Sequence, residues 1–167
     1  MQILVTGGTG FIGGHLIRTL RAEHEVSCLT RQPRPDAALD GIRCIVADLN
    51  TEGWEESLPE QMDVVIHLAQ ANAPFPGSAD ELFRVNVLST QRLADYARRA
   101  GVSRFVYASS GSVYAPSAEL LSETSRLAPG EFYGVTKHCS EQVLESYTAY
   151  FDLSLLRLFV PYGPGQR

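Results

Sequence analysis

The run Gln2-Ile3-Leu4-Val5-Thr6-Gly7-Gly8-Thr9-Gly10-Phe11-Ile12-Gly13 decides the fold. Ile3, Leu4 and Val5 make a short unbroken apolar stretch, the pattern of a strand buried on both faces. The glycines then turn the chain, and a helical pattern runs from Phe11 to Ala22. Gly8-x-Gly10-x-x-Gly13 has the spacing of a dinucleotide-binding turn, and Gly7-x-x-Gly10-x-x-Gly13 has a related one. Glycine permits the tight turn, lets backbone approach a pyrophosphate and allows close helix–strand packing. A helix start adds unpaired N–H groups and the positive end of its dipole. Strand, glycine turn and helix in that order are the context in which such a pattern carries weight.

Outward from this turn the alternation continues. Gln2–Thr6, Glu25–Thr30, Arg43–Ala47, Val64–Ala69, Arg104–Ser109 and Ser154–Val160 read as strands. Phe11–Ala22, Asp80–Arg99 and Tyr133–Tyr150 read as helices, and a short helix is expected within Thr51–Gln61. Such alternation predicts an α/β fold, a doubly wound parallel sheet of about six strands with helices on both faces. The segments Gln32–Gly41, Ala71–Ser78 and Ala115–Gly130 read as loops, the last two leaving the sheet edge where ligands bind. The 167 residues predict one domain, residues 1–167. A net charge of -5 disfavours a nucleic-acid partner, and no apolar run is long enough for a membrane span. Cys28, Cys44 and Cys139 form no disulfide framework, and no leader pattern follows Met1, so a cytoplasmic location is expected. His15, His24, His67 and His138 lack partners at metal spacing, so no metal is expected.

The second strand ends Leu29-Thr30-Arg31, where NAD enzymes of this architecture place a carboxylate for the ribose hydroxyls. Arg31, with Arg34 nearby, suits a 2′-phosphate instead. NADP is therefore favoured, with NAD left open. Ser109-Ser110-Gly111-Ser112 closes the fifth strand, and Tyr133-Gly134-Val135-Thr136-Lys137 opens a helix. Residues four apart share a helix face, so Tyr133 and Lys137 point into one cleft. A lysine ammonium favours the phenolate, which makes Tyr133 a candidate general acid/base.

Taken together, these residues resemble the extended short-chain dehydrogenase/reductase family, in its NAD(P)-dependent epimerase/dehydratase branch, along nearly the whole chain. The resemblance implies a Rossmann-type NAD(P)-binding domain and a Ser110–Tyr133–Lys137 catalytic site, with Ser109 and Ser112 as weaker serine candidates. It implies that Gly7, Gly10, Phe11, Ile12, Gly13, Asp48, Leu49, Leu68, Ala69, Asn86, Pro161, Tyr133 and Lys137 bind the cofactor alongside Arg31. It also implies a homodimer through the Asp80–Arg99 and Tyr133 helices, and a small-molecule substrate such as a nucleotide sugar. Two departures are visible. Val160 stands where many nucleotide-sugar members carry an asparagine, and the sequence stops at Gln166-Arg167, short of the region that builds most of the family's substrate pocket. The expected activity is epimerisation, dehydration or reduction. A non-catalytic dinucleotide-binding sensor or scaffold of the same fold is the alternative.

Overall fold

The computed structural model describes residues 1–32, 39 and 41–166. Six parallel strands, β1 (Gln2–Thr6), β2 (Glu25–Thr30), β3 (Arg43–Val46), β4 (Val64–His67), β5 (Arg104–Ser110) and β6 (Asp152–Leu158), lie in the order 3-2-1-4-5-6. The helices are α1 (Phe11–Leu20), α2 (Ala79–Phe83), α3 (Ser89–Arg99) and α4 (Phe132–Glu145). This is the doubly wound Rossmann arrangement, whose strand order reverses between β1 and β4.

Strand residues alternate between two cores. Ile3 and Val5, Val26 and Cys28, and Val64 and Ile66 pack with Ile17 of α1 on one face. Leu4, Leu29, Val65 and Phe105 pack on the other face with Leu93, Ala94 and Ala97 of α3 and Leu144 of α4. Both faces are thus covered, which explains why the central strands read as unbroken apolar runs. The two edge strands depart from that expectation. In β3 only Ile45 is buried, and no residue of β6 is fully buried.

Several boundaries differ from the sequence reading. β6 runs two residues earlier than expected, because its pairing with β5 begins at Asp152 opposite Arg104 and ends at Leu158 opposite Ser110. Beyond it Phe159 turns aside and stacks on Tyr114. β4 ends at His67 rather than Ala69, and β5 continues to Ser110. The expected short helix in Thr51–Gln61 is a 3-10 turn, Trp54–Ser57, with Trp54 buried beneath it. α4 ends at Glu145, followed by turns through Tyr150. The single helix expected over Asp80–Arg99 is instead α2 and α3 joined by a π-helical turn, Arg84–Leu88. Cys28 and Cys44, distant in sequence, are register partners across β2 and β3, and both are free thiols.

The junction between the two halves of the sheet is closed by His67. Its ring is fully buried between Thr6 of β1 and Thr90 of α3. Thr90 Oγ1 donates to the Asn86 carbonyl at 2.6 Å, so it accepts from His67 Nε2–H at 3.0 Å. Nδ1 is therefore an acceptor, and the Thr6 hydroxyl donates to it at 2.6 Å. Thr6 Oγ1 accepts in turn from the Ala69 N–H at 3.2 Å. The chain of bonds needs a neutral imidazole. Burial, helped by the Lys137 charge, pushes the His67 pKa down to about 3.

An imidazole held neutral makes stability depend on pH. The unfolded chain binds a proton below about 6.5, and the native state does not until about 3, so stability falls on acidification through that window. His67→Gln should be less stable at pH 7.5, and its deficit should shrink by up to about 1.4 kcal/mol per pH unit below 6.5. Urea denaturation midpoints between pH 7.5 and 5 measure this. A constant deficit would show that the imidazole is not held neutral.

Candidate functional site

The glycine turn divides its work among three residues. Gly7 has φ 73°, and a Cβ there would lie 2.7 Å from the Ala69 nitrogen, so the close approach of β1 to the end of β4 requires glycine. A Cβ on Gly13 would run into the Gly7 carbonyl and Gly8 Cα, which fixes α1 tightly against the turn. Gly10 differs from both. Its Cβ would meet only the Gly7 oxygen, at 3.2 Å, and the residue is exposed. The protein itself scarcely needs a glycine at this position, whereas a close-approaching ligand does. Gly10 is also the cap of α1 and supplies no side-chain bond. The first helical bond is Gly14 N–H to Gly10 O, so the N–H groups of Phe11, Ile12 and Gly13 stand ahead of the helical ladder. A bare, positively polarised helix start beside a glycine with room above it fits a pyrophosphate.

The remaining dinucleotide candidates lie along the same carboxyl edge of the sheet. Arg31 is exposed at the end of β2, while Arg34 falls outside the described residues. Asp48 follows β3, and its Oδ1 accepts from the Asn50 N–H at 2.9 Å, bending the chain back across the edge. The Leu49 side chain is buried in the core, which leaves only its backbone to face a ligand. Leu68 and Ala69 lie where β4 meets Gly7. Asn86 is buried in the π-helical turn and binds Ala71 through both ends of its amide, at 2.8 and 3.1 Å. Its Nδ2 also donates to Thr136 of α4 at 3.0 Å, tying the loop after β4 to α4. Pro161 is exposed beyond β6 on a segment that returns to α1, where His15 Nε2 bonds the Pro164 carbonyl at 3.0 Å.

Ser110, Tyr133 and Lys137 are brought together at the ends of β5 and α4. Ser110 caps a 3-10 turn, Gly111–Val113, its Oγ accepting from the Ser112 N–H at 3.1 Å. Gly134 lets α4 press against this turn, since a Cβ there would collide with the Ser112 carbonyl. Ser110 and Tyr133 are thereby made neighbours, and the Ser110 hydroxyl works to hold the phenol's pKa down. Tyr133 Oη also donates to Gln70 Oε1 at 2.7 Å. Lys137 is 1% exposed, with Nζ donating to the Ala108 carbonyl at 2.6 Å and lying 4.1 Å from the centre of the Tyr107 ring. Burial pushes its pKa down to about 7, against the attraction of Glu141.

The electrostatics differ from the sequence expectation in one respect. Tyr133 is raised, not lowered, because half-burial disfavours the phenolate more than the Ser110 and Gln70 hydrogen bonds favour it. The Lys137 ammonium is directed at Ala108 and Tyr107 rather than at the phenol. Ser109, the weaker serine candidate, is turned inward and donates to Glu141. Ser112 enters the site through its backbone, which meets both Ser110 and Gly134.

Gln70, Thr6, Gly134, Glu141 and Arg157 also shape the site and were not singled out from sequence. Gln70 had a readable signal, a polar residue just past the fourth strand. Glu141 stands one helical turn beyond Lys137, also a readable spacing, but its partner Arg157 is found only by folding. Among the described residues no group of three His, Cys, Asp or Glu side chains is placed to hold a metal ion. No helix among them is long and apolar enough to cross a membrane.

Comparison with known proteins agrees with this geometry. The NAD dependent epimerase/dehydratase family matches residues 3–167. An uncharacterized UDP-glucose epimerase of Bacillus subtilis, YtcB, is 31% identical over 185 residues, covering 100% of this chain and 58% of that protein. Sterol demethylase protein B of Methylococcus capsulatus is 34% identical over 173 residues, covering 98% of this chain and 52% of that protein. The solved structure of MoeE5 in complex with UDP-glucose and NAD superposes with a TM-score of 0.88 at 38% identity, covering 100% of this chain and 57% of that one. The chain thus spans little more than half the length of these relatives. With the glycine turn, the sheet order and the match along almost every residue in agreement, the chain belongs to the NAD dependent epimerase/dehydratase family.

Proposed function

We propose that this chain is the dinucleotide-binding and catalytic part of an enzyme that acts on a hydroxyl-bearing carbon of a nucleotide sugar. The observation that carries the reading is the gathering of Ser110, Tyr133 and Lys137 at the ends of β5 and α4, on the same sheet edge as the bare α1 start. Gly10, Phe11, Ile12 and Gly13 would hold the pyrophosphate, and Asp48, Leu49, Leu68, Ala69 and Pro161 would flank the rest of the dinucleotide. When bound, the dinucleotide supplies a hydride acceptor or donor at its nicotinamide ring. Tyr133 takes the proton from the substrate hydroxyl at its Oη, or returns it. Ser110 orients the reacting oxygen. Lys137, one turn along α4, adds a positive charge beneath the site, held on Ala108 and Tyr107. The nucleotide-sugar class rests on the names of the relatives, among them the UDP-glucose epimerase and MoeE5 bound to UDP-glucose. We also propose NADP as the preferred cofactor, because Arg31 stands at the β2 end where a carboxylate would select NAD.

Three outcomes test these assignments. Tyr133→Phe in the full-length protein should keep dinucleotide affinity and lower turnover of a nucleotide sugar by about 10²–10⁴-fold. Lys137→Ala should lower both. Rates are followed by nicotinamide absorbance, or by product analysis for a redox-neutral epimerisation. Unchanged turnover in Tyr133→Phe would remove the catalytic assignment, and tight dinucleotide binding without any reaction would favour a sensor.

The glycines should separate. Gly10→Val should fold yet lose dinucleotide binding, whereas Gly13→Val should disturb the fold itself through its clash with the Gly7 carbonyl. Circular dichroism with calorimetric titration distinguishes the two, and full affinity in folded Gly10→Val would contradict the cradle.

For cofactor choice, calorimetry should give about tenfold tighter binding of NADPH than NADH, about 1.4 kcal/mol. Arg31→Asp should reverse the order by adding repulsion as well as deleting attraction. Equal affinities in the unaltered protein would leave Arg31 without a role in selection.

A further inference from the structure

Gln70 follows β4 at the crevice where the strand order reverses, and its side chain is exposed. Its Oε1 accepts the Tyr133 hydroxyl proton at 2.7 Å. Two titratable groups lie near the phenol: Tyr107 on β5, whose charge acts on it, and Lys137, one turn along α4. Neither is seen bonded to Oη. Lys137 Nζ donates to Ala108, and the Tyr107 ring is buried beneath that ammonium. Ser110 is a third neighbour; its Oγ accepts from the Ser112 N–H, and its own proton is left for the phenol or the substrate oxygen. Gln70 is the neighbour bonded to Oη, and its amide N–H end is spare.

An amide has two ends of opposite polarity. The carbonyl end accepts from a neutral phenol, and a half-turn about the terminal side-chain bond presents an N–H donor in its place. A phenolate has only lone pairs to offer, so it bonds the donor end. Because Gln70 is exposed, its rotamer changes fall in the ps–ns range, well below the time of a catalytic cycle. We propose that Gln70 is a further catalytic residue that matches its polarity to Tyr133. Its carbonyl end steadies the phenol when Tyr133 is the acid, and its amide end donates to the phenolate when Tyr133 is the base. In the step itself the proton passes between the substrate hydroxyl and Tyr133 Oη. Gln70 neither gains nor loses a proton, and no electrons pass through it. The proposal rests on Tyr133 being the acid/base of the preceding section.

The sign of a titration shift decides it. Tyrosine labelled with carbon-13 at Cζ reports the Tyr133 ionisation by NMR in the full-length protein saturated with NAD, the resonance being assigned by its loss in Tyr133→Phe. Gln70→Met keeps the length of the side chain and removes both polar ends. If the amide end supports the phenolate, the Tyr133 midpoint rises by about one pH unit. The acid limb of the pH–rate profile should move upward by the same amount. If Gln70 only accepts from the phenol, the midpoint falls, and if it does neither, the midpoint stays. Either of those results overturns the proposal. Gln70→Glu places a carboxylate against the phenol and should raise the midpoint further; no rise there would show that the contact is not made. The titration needs no turnover, so its failure is distinct from a failure of the Tyr133→Phe rate test.

Discussion

A carboxylate that is 1% exposed must be matched by charge and hydrogen bonds, and the matching of Glu141 sets the position of α4. Arg157 of β6 bonds it through two nitrogens, at 3.0 and 2.9 Å, and Ser109 of β5 donates to the same carboxylate. The guanidinium also reaches the Tyr114 hydroxyl at 3.1 Å and the Glu123 carbonyl at 3.2 Å. One helix, two strands and the long loop before α4 therefore converge on a single buried pair. Removing Arg157 would strand the Glu141 carboxylate away from water, which typically costs about 3–5 kcal/mol. Tyr133 and Lys137 sit on the helix that this pair fixes, so their geometry depends on a contact that touches neither of them.

The second constraint is the crevice between β1 and β4. Parallel strands that diverge to opposite sides leave a gap at their carboxyl ends, and a ligand site there needs a firm floor. His67, Thr6, Thr90 and Asn86 supply that floor with bonds whose directions are all determined by one imidazole tautomer. Gly7 brings the β1 backbone against Ala69 over the same floor. The Asn86 amide then connects it to α4 through Thr136. Polar burial is extensive here, and the His67, Thr6, Thr90 and Asn86 side chains are all paired.

How much of this was legible in the sequence follows from the range of each interaction. The bounds of β1 and β2 were readable because Ile3–Val5 is unbroken and Val26, Cys28 and Leu29 put apolar side chains on both faces, with only Ser27 between them. Ser110, Tyr133 and Lys137 were readable from type and spacing on local elements. The π-helical turn was not, because Leu82, Val85, Leu93 and Ala97 fit an unbroken helical stripe equally well. Glu141 with Arg157, and Gln70 with Tyr133, were also hidden. Each joins elements whose adjacency exists only once strand order is known. The exposed character of β3 and β6 was missed for the same reason, since composition does not say which strands form the edges of a sheet.

The widened turn at Arg84–Leu88 divides the segment before β5 into two halves with separate phases. An α-helix advances about 100° per residue, so the extra residue in such a turn rotates everything after it by that amount relative to a regular helix. Leu82 on one side and Leu93, Ala94 and Ala97 on the other are all buried with the turn in place. Removing one residue there would leave every other side chain chemically intact, yet swing one half of the stripe away from the sheet. Substitution and deletion are therefore inequivalent in this stretch. A substitution at an exposed position such as Leu88 leaves that phase intact, whereas a change of length moves even the positions it does not touch.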